Sequence, residues 1–257
     1  MKHIVFYSGG IGSWMTACRV IQQQGKEDVI LLFTDTLIED IELYRFLDET
    51  EQDFGIEITR IADGRTPWQV FKDTRFLGNS KLAKCSHMLK QETAKKWLHS
   101  NYGPDECILY LGIDFTEIHR TKAPVKNWSP YQVKFPMTEK PYLYKADMLN
   151  ALKKKNIKVP RLYELGFSHN NCGGMCVRGG QGHFVQLLEH FPARYQQMEM
   201  FEKEMSEFLE REVTILKKTE NEVSHPLSLE KLRQAYEAGK KDQLDLFDVG
   251  GCGCFVS

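Results

Sequence analysis

A chain of 257 residues with 34 basic and 35 acidic side chains carries almost no net charge, so no whole-molecule field draws it onto nucleic acid or membrane. Its 42% hydrophobic content is that of an ordinary globular protein, and no apolar run approaches the roughly 20 residues of a membrane span. The opening Met-Lys-His passes straight into an apolar segment, which predicts no signal peptide and a cytoplasmic chain, where clustered cysteines among its 7 point to metal or sulfur chemistry rather than disulfides.

Residues 3–7 are short, apolar and β-prone and read as a buried strand. From Trp14 onward, Met15, Cys18, Val20 and Ile21 recur at helical spacing and stop at Gly25. Between strand and helix sits Ser8-Gly9-Gly10-Ile11-Gly12-Ser13. Small residues at such a turn leave backbone N–H groups unobstructed. The helix N-terminus adds partial positive charge, so the turn is a cradle for phosphate oxygens, with the Ser8 and Ser13 hydroxyls as further donors. The turn lacks the Lys-Ser/Thr ending of a Walker loop and the G-x-G-x-x-G dinucleotide spacing.

Residues 28–34 form a continuous apolar run, the mark of a strand covered on both faces in a parallel sheet. It ends in Thr34-Asp35-Thr36, placed at the ligand crevice of a doubly wound sheet, although Asp35 also suits a cap for the next helix. Residues 41–54 read as an acidic amphipathic helix and 57–61 as a strand, giving βαβ units with right-handed crossovers. A mixed aromatic and basic segment, 68–76, reads as a helix under the rim of the site. Cys85 precedes a helix over 92–98, with Lys90 nearby, surroundings that suit a nucleophile or a metal ligand. Cys18 and Cys107 sit within apolar segments and read as core.

The strand 107–111 runs into Gly112, Asp114, Glu117, His119 and Arg120. Ionisable residues after a glycine at a strand's carboxyl end suit site chemistry: Asp114 or Glu117 for a magnesium ion, Arg120 for a phosphate or sulfate. Residues 124–141, rich in proline, aromatics and lysine, read as either a rigid surface connection or a substrate-facing loop. A helix over 142–156 follows, ending in a lysine run. Cys172 and Cys176, four apart, would point the same way from a helical turn, with Cys85 as a third metal ligand and His169 or a C-terminal cysteine as a fourth. A second glycine-rich turn, 178–183, is basic enough to reach an anion. Helices over 184–209 (broken at Phe191-Pro192) and from Ser228, with a short strand over 214–218, complete the chain before the tail cysteines Cys252 and Cys254. Two domains follow from this reading, 1–176 for nucleotide binding and 177–257 as a helical extension.

Taken together, the Ser8–Ser13 turn, Thr34-Asp35-Thr36, Cys85 with Leu89-Lys90, Gly112-Ile113-Asp114 with Glu117 and Arg120, and Pro160-Arg161-Leu162-Tyr163 through Cys172 and Cys176 resemble the phosphoadenosine phosphosulfate reductase family of the PP-loop superfamily. The resemblance implies an adenine nucleotide alpha-hydrolase-like α/β fold: a doubly wound, five-stranded, mainly parallel sheet with a helical C-terminal extension. It implies a nucleotide-binding set of Ser8, Gly9, Gly10, Gly12, Ser13, Thr34, Asp35, Thr36 and Gly112, for ATP or an adenylylsulfate-type nucleotide with Mg2+. Members either reduce an activated sulfate or cleave ATP at the α-phosphate to adenylate a substrate. Some of them hold a 4Fe-4S cluster on cysteines, for which zinc is the alternative here.

Departures from the family pattern matter. Ile11-Gly12 replaces the Lys-Asp pair of many ATP-cleaving members, and the tail reads Gly-Cys-Gly-Cys-Phe where sulfate reducers carry Glu-Cys-Gly-Leu-His. The expected activity is therefore ATP cleavage and adenylation, for sulfur transfer or nucleic-acid modification, with Asp114, Glu117 and Arg120 catalytic. The alternatives are a thiol-dependent reductase using Cys254 and a non-catalytic nucleotide-binding subunit. The expected partners are an adenine nucleotide and a second substrate (a nucleic acid or a sulfur donor), and a homodimer is compatible with them.

Overall fold

The computed structural model describes residues 1–79, 82–220, 222–240 and 244–251, with Thr219 and Glu220 as backbone only. The expectations placed on Cys252 and Cys254 lie outside the described residues.

In chain order, β1 (Lys2–Phe6), α1 (Ile11–Gln24), β2 (Val29–Asp35), α2 (Ile41–Phe54) and β3 (Ile58–Ala62) come first. Then follow α3 (Pro67–Asp73), a π-helical segment Ser86–Glu92, α4 (Thr93–Asn101), β4 (Cys107–Tyr110), a 3-10 segment Phe115–Thr121, α5 (Lys122–Asn127) and β5 (Gln132–Lys134). The remainder holds α6 (Lys145–Lys154), α7 (Arg161–Glu164), α8 (Gln181–His190), α9 (Pro192–Leu209), the hairpin β6 (Leu216–Glu220) and β7 (Val223–Leu227), and α10 (Leu229–Glu237).

Two compact units divide these elements. Of the described residues, the first takes Met1–Gly64 and His87–Arg161; the second takes Arg65–Ser86 and those from Leu162 to Gly251. The first compact unit ends at Arg161, and the segment carrying α3 joins the second. The physical reason is packing: Trp68 lies 4.4 Å from Phe201 of α9, ring centre to ring centre, so α3 belongs with α9.

In the first unit the sheet is five-stranded and wholly parallel, in the order β3-β2-β1-β4-β5, the architecture expected. The central strand β1 is apolar on both faces, and Ile4 and Phe6 meet Leu98, Leu109 and Trp128 in one core cluster. Arg19 of α1 is buried and donates to the Pro136 (2.6 Å), Glu139 (3.0 Å) and Pro141 carbonyls, fixing α1 against the segment after β5. Asp40, not Asp35, caps α2, accepting from Glu42 N at 2.9 Å. Burial pushes the Cys18 thiol up to about 12 and raises that of Cys107; Cys107 lies in the core as expected, whereas Cys18 is half-buried.

In the second unit α8 and α9 form the scaffold. Glu202 of α9 is buried, and its carboxylate accepts from Ile215 N (2.8 Å) and Leu229 N (2.7 Å), joining the hairpin and α10 to the helix. Ser228 caps α10 as expected, accepting from Lys231 N. Among the described residues no helix is long and apolar enough to cross a membrane.

Candidate functional site

The turn after β1 is built by its two serines. Ser13 Oγ donates to the Gly10 carbonyl at 2.9 Å and accepts from both Ser8 N and Ser8 Oγ at 3.2 Å. A hydroxyl has one hydrogen and two lone pairs, so Ser13 is fully used inside the turn and shapes it. The serine hydroxyl donors expected for phosphate are spent here on the loop itself; the donors that remain are backbone.

Those donors sit at the start of α1. Gly10 is its N-cap, with no side chain to cap it and no acid in the first turn. Trp14 N makes the first bond of the helix, to the Gly10 carbonyl at 3.0 Å, so the amides of Ile11, Gly12 and Ser13 have no acceptor within the helix. Three glycines keep the approach open. Gly9 has φ 71°, the left-handed region, and a Cβ there would lie 3.0 Å from Leu43 Cγ. A Cβ on Gly112 would lie 3.0 Å from Ser13 N and 3.1 Å from the Gly12 carbonyl. Gly12 answers it, since its own Cβ would lie 3.4 Å from the Gly112 carbonyl. The loop after β4 therefore passes directly over the α1 terminus, and only glycine lets it do so without covering the amides. Residues 8–13 and 112, far apart in sequence, form one surface.

The end of β2 is nearby in the same sheet, one strand over. Thr34 is buried and its hydroxyl has no hydrogen-bond partner. Asp35 accepts from Leu37 N at 2.7 Å and from the Tyr44 hydroxyl at 2.9 Å, so it holds the turn into α2. Burial, aided by that bond, raises the Tyr44 phenol and keeps it a donor. The Thr36 hydroxyl is committed to Glu39 at 2.9 Å.

Behind this strand end lie two ion pairs that sequence reasoning did not place in the site. Lys90 and Glu39 approach to 3.7 Å with side chains only 5% and 1% exposed. Arg161 meets the helix-capping Asp40 at 2.8 Å. Lys90 lies on the π-helical turn, a geometry found often at functional positions. The Leu89-Lys90 and Pro160-Arg161 motifs were visible in the sequence; their acidic partners, distant in the chain, were not.

The segment after Gly112 is self-satisfied in part. Asp114 Oδ1 accepts from Thr116 N (2.8 Å) and Thr116 Oγ1 (2.6 Å), capping the 3-10 turn. Glu117 and Arg120, three apart, are ion-paired with one another. All three lie in the first unit with the α1 turn.

Cys85, Cys172 and Cys176 share the second unit. No helix runs from Cys172 to Cys176. Cys172 (φ 54°), Gly173 (φ 59°) and Gly174 (φ 84°) are left-handed, so the expected common direction of the two thiols from a helical turn is not formed. Among the described residues no three His, Cys, Asp or Glu side chains are grouped to hold a metal ion. The second glycine-rich turn is the N-terminus of α8, and the chain's own Asp248 occupies it. Gln181 N donates to Asp248 Oδ2 at 3.3 Å and Gly182 N to the Asp248 carbonyl at 2.9 Å, which replaces the external anion expected there.

No protein-family profile matches the chain. An uncharacterized protein of Methanocaldococcus jannaschii is 26% identical over 221 residues, 79% of this chain and 42% of that protein, so the chain spans less than half the length of the relative it matches. Among solved structures, similarity extends to a phosphoadenylyl-sulfate reductase of Candida auris in a phosphate complex, with TM-score 0.45 and 14% identity over 65% of this chain and 78% of that one. It extends also to an NH3-dependent NAD synthetase of Campylobacter jejuni in complex with nitrate, with TM-score 0.41 and 14% identity over 80% of this chain and 84% of that one.

Proposed function

We propose that the chain is an enzyme that binds ATP through its polyphosphate at the Ser8–Ser13 turn, cleaves it between the α and β phosphates, and adenylates a second substrate for sulfur transfer or nucleic-acid modification. The observation that carries this reading is the uncapped first turn of α1, kept open by the close approach of Gly112. Backbone amides of Ile11, Gly12 and Ser13 donate to phosphate oxygens, and the positive helix end offsets the charge that grows on the leaving pyrophosphate. The bond from the α-phosphorus to its bridging oxygen breaks as a substrate oxygen bonds to that phosphorus, and pyrophosphate departs with the bridging electrons.

Thr34 and Thr36 line the end of β2 where the adenosine would lie, and Asp35 keeps that edge in shape. Arg120, on exchanging Glu117 for a phosphate, meets the charge on the polyphosphate. Asp114 and Glu117 are the carboxylates that would hold Mg2+, Asp114 through Oδ2 because Oδ1 is engaged by Thr116. When bound, the ion supplies charge neutralisation on the phosphates. For a 4Fe-4S cluster the described donors do not fit as they stand, since no three of them are grouped.

Incubation of the reduced full-length chain with ATP, Mg2+ and candidate acceptors tests the reading, with pyrophosphate release expected. Sulfite release from adenylylsulfate or its 3′-phosphate, driven by a thiol donor, would assign the reductase activity instead. Tight ATP binding with no turnover on any acceptor would make the chain a nucleotide-binding subunit.

A further inference from the structure

Between the 3-10 segment and the start of α6, the first unit presents aromatic rings to solvent. Tyr142 and Tyr144 are 48% and 63% exposed. Both gather on Phe115. The Tyr142 ring stacks on it with 4.8 Å between centroids, and Tyr144 meets it edge-on at 5.1 Å. Exposed apolar side chains scattered singly are ordinary, but here three rings share contacts, and Ile118 of the segment that carries Phe115 is exposed as well.

The backbone beneath the rings is fixed. Arg19, buried in α1, holds the carbonyls of Pro136, Glu139 and Pro141, the last of them adjoining Tyr142. Asp147 accepts from Tyr144 N at 2.8 Å and sets the start of α6. Rings carried on so constrained a chain lose little freedom on meeting a ligand, which favours binding.

The charge around the rings selects the occupant. From Ile118 to Ala146 the chain has six Lys and Arg side chains and one acid, Glu139, although its formal net charge is −1 overall. Arg120 is taken by Glu117. Lys122 and Lys126, on the α5 that continues directly from the 3-10 segment, and Lys140, two residues before Tyr142, are exposed and in no ion pair among the described residues. Lys145 follows Tyr144. Protein interfaces are depleted in lysine, whereas a single-stranded nucleic acid lays its bases on aromatic rings and its phosphates on lysines. The patch also adjoins the nucleotide turn. Phe115 is three residues beyond Gly112, so at most about 11 Å of chain separates it from the glycine that lies over Ser13 N.

We propose that Phe115, Tyr142 and Tyr144, with Lys122, Lys126, Lys140 and Lys145, form a platform for a single-stranded nucleic acid. Resting on the ATP-cleaving reading, this makes the strand the second substrate, whose oxygen takes the adenylyl group as pyrophosphate leaves.

The test uses the full-length chain and fluorescein-labelled single strands of about 12 nucleotides and mixed sequence, as RNA and as DNA, beside duplexes of the same sequence. Anisotropy without ATP should show single strands bound at least about 10-fold more tightly than duplexes, whose base faces are already stacked; preference for one sugar assigns the source, and either supports the platform. Tyr142→Ala and Tyr144→Ala each weaken single-strand binding by about 5- to 150-fold, whereas Phe208→Ala, which removes an exposed ring of the second unit, stays within about twofold. Lys122→Gln and Lys126→Gln each lower the slope of log affinity against log salt by about 0.7. Circular dichroism of the variants must match the parent; if a tyrosine variant does not fold, the lysine variants decide. The inference is overturned if no single strand binds at low salt, if duplexes bind as tightly, or if the folded tyrosine variants bind as the parent does. It is overturned too if Tyr144→Ala weakens a non-hydrolysable ATP analogue by the same factor, since the rings would then hold adenine, or if the patch joins two copies of the chain in sedimentation and binds no strand. The two readings fail separately. Pyrophosphate release on another class of acceptor, with no strand bound, overturns the platform alone; strand binding through the rings with no ATP cleavage upholds the platform and refutes cleavage.

Discussion

Adding one methyl group at Gly112 isolates the role of the α1 terminus. In Gly112→Ala the new Cβ sits 3.0 Å from Ser13 N and 3.1 Å from the Gly12 carbon and carbonyl oxygen, against an ordinary contact of about 3.5–4.0 Å. The helix cannot retreat, because the Ser8–Ser13 hydroxyl network ties it to β1 and Arg19 ties it to the segment 136–141. The methyl therefore stands over the Ser13 amide and denies it to a phosphate oxygen. Loss of one hydrogen bond to a charged group is worth about 1.5–3 kcal/mol, which predicts ATP binding weaker by about 10- to 150-fold. Gly112 has no positive φ, so the substitution adds no backbone strain of its own, but the overlap with fixed backbone should lower stability by about 1–3 kcal/mol, which leaves the chain folded for the binding test. Titration calorimetry with a non-hydrolysable ATP analogue measures the first quantity and thermal melting the second. A folded Gly112→Ala that binds the analogue within twofold of the parent would refute the placement of the polyphosphate on this turn.

The serine network, the buried pair and the buried carboxylate yield further tests. Ser13→Ala removes three hydrogen bonds and leaves the Ser8 amide without its acceptor, a cost of about 1–3 kcal/mol in urea denaturation, with ATP affinity falling alongside as the turn loosens. Lys90→Met leaves Glu39 as a buried charge without its ammonium, and should destabilise by about 3–5 kcal/mol; the Lys90→Met/Glu39→Gln double variant should recover part of that, and strict additivity of the two would contradict a coupled pair. Burial raises the Glu202 carboxyl to about 7, above its unfolded value, so the stability it contributes is whole below the unfolded pKa and is lost as pH rises through about 7. The parent should therefore lose stability relative to Glu202→Gln between pH 5 and 8, by at most about 1.4 kcal/mol per pH unit, and a difference that stays flat or reverses would show that Glu202 is ionised throughout.

What could be read without coordinates was local and periodic. The helix over 41–54 emerged with its final limits because its apolar stripe is continuous and Gly55 stops it in the left-handed conformation. The strand-turn-helix of residues 3–25 was equally plain, since an apolar run, a glycine-serine turn and a new period follow one another directly. Strand β5 was not found: it has three residues in a proline-rich stretch, and its Gln132 and Lys134 face solvent, so it carries no apolar signature. The helical turn expected between Cys172 and Cys176 failed because Gly173 and Gly174 take left-handed angles that spacing does not reveal. The glycine-rich turn at 178–183 has the chemistry of an anion cradle, as read, but the anion is Asp248, supplied by the chain 67 residues on from Gln181.

The acidic halves of the site were hidden for a related reason. Asp40 and Arg161 stand 121 residues apart, and Glu39 finds Lys90 across two helices and a strand. Nothing in the local pattern of either partner names the other. The backbone character of the phosphate donors was hidden too: two serines in a turn suggest hydroxyl contacts, and only the distances reveal that both hydroxyls are spent on holding the turn in shape.

The amide resonances of Ile11, Gly12 and Ser13 report most directly on whether the turn grips a polyphosphate. In a titration of labelled protein with a non-hydrolysable ATP analogue, these three should show the largest downfield shifts as each N–H takes a charged acceptor, and inorganic pyrophosphate should move them alike. Unmoved amides at saturating analogue, with shifts gathered elsewhere on the chain, would contradict the account.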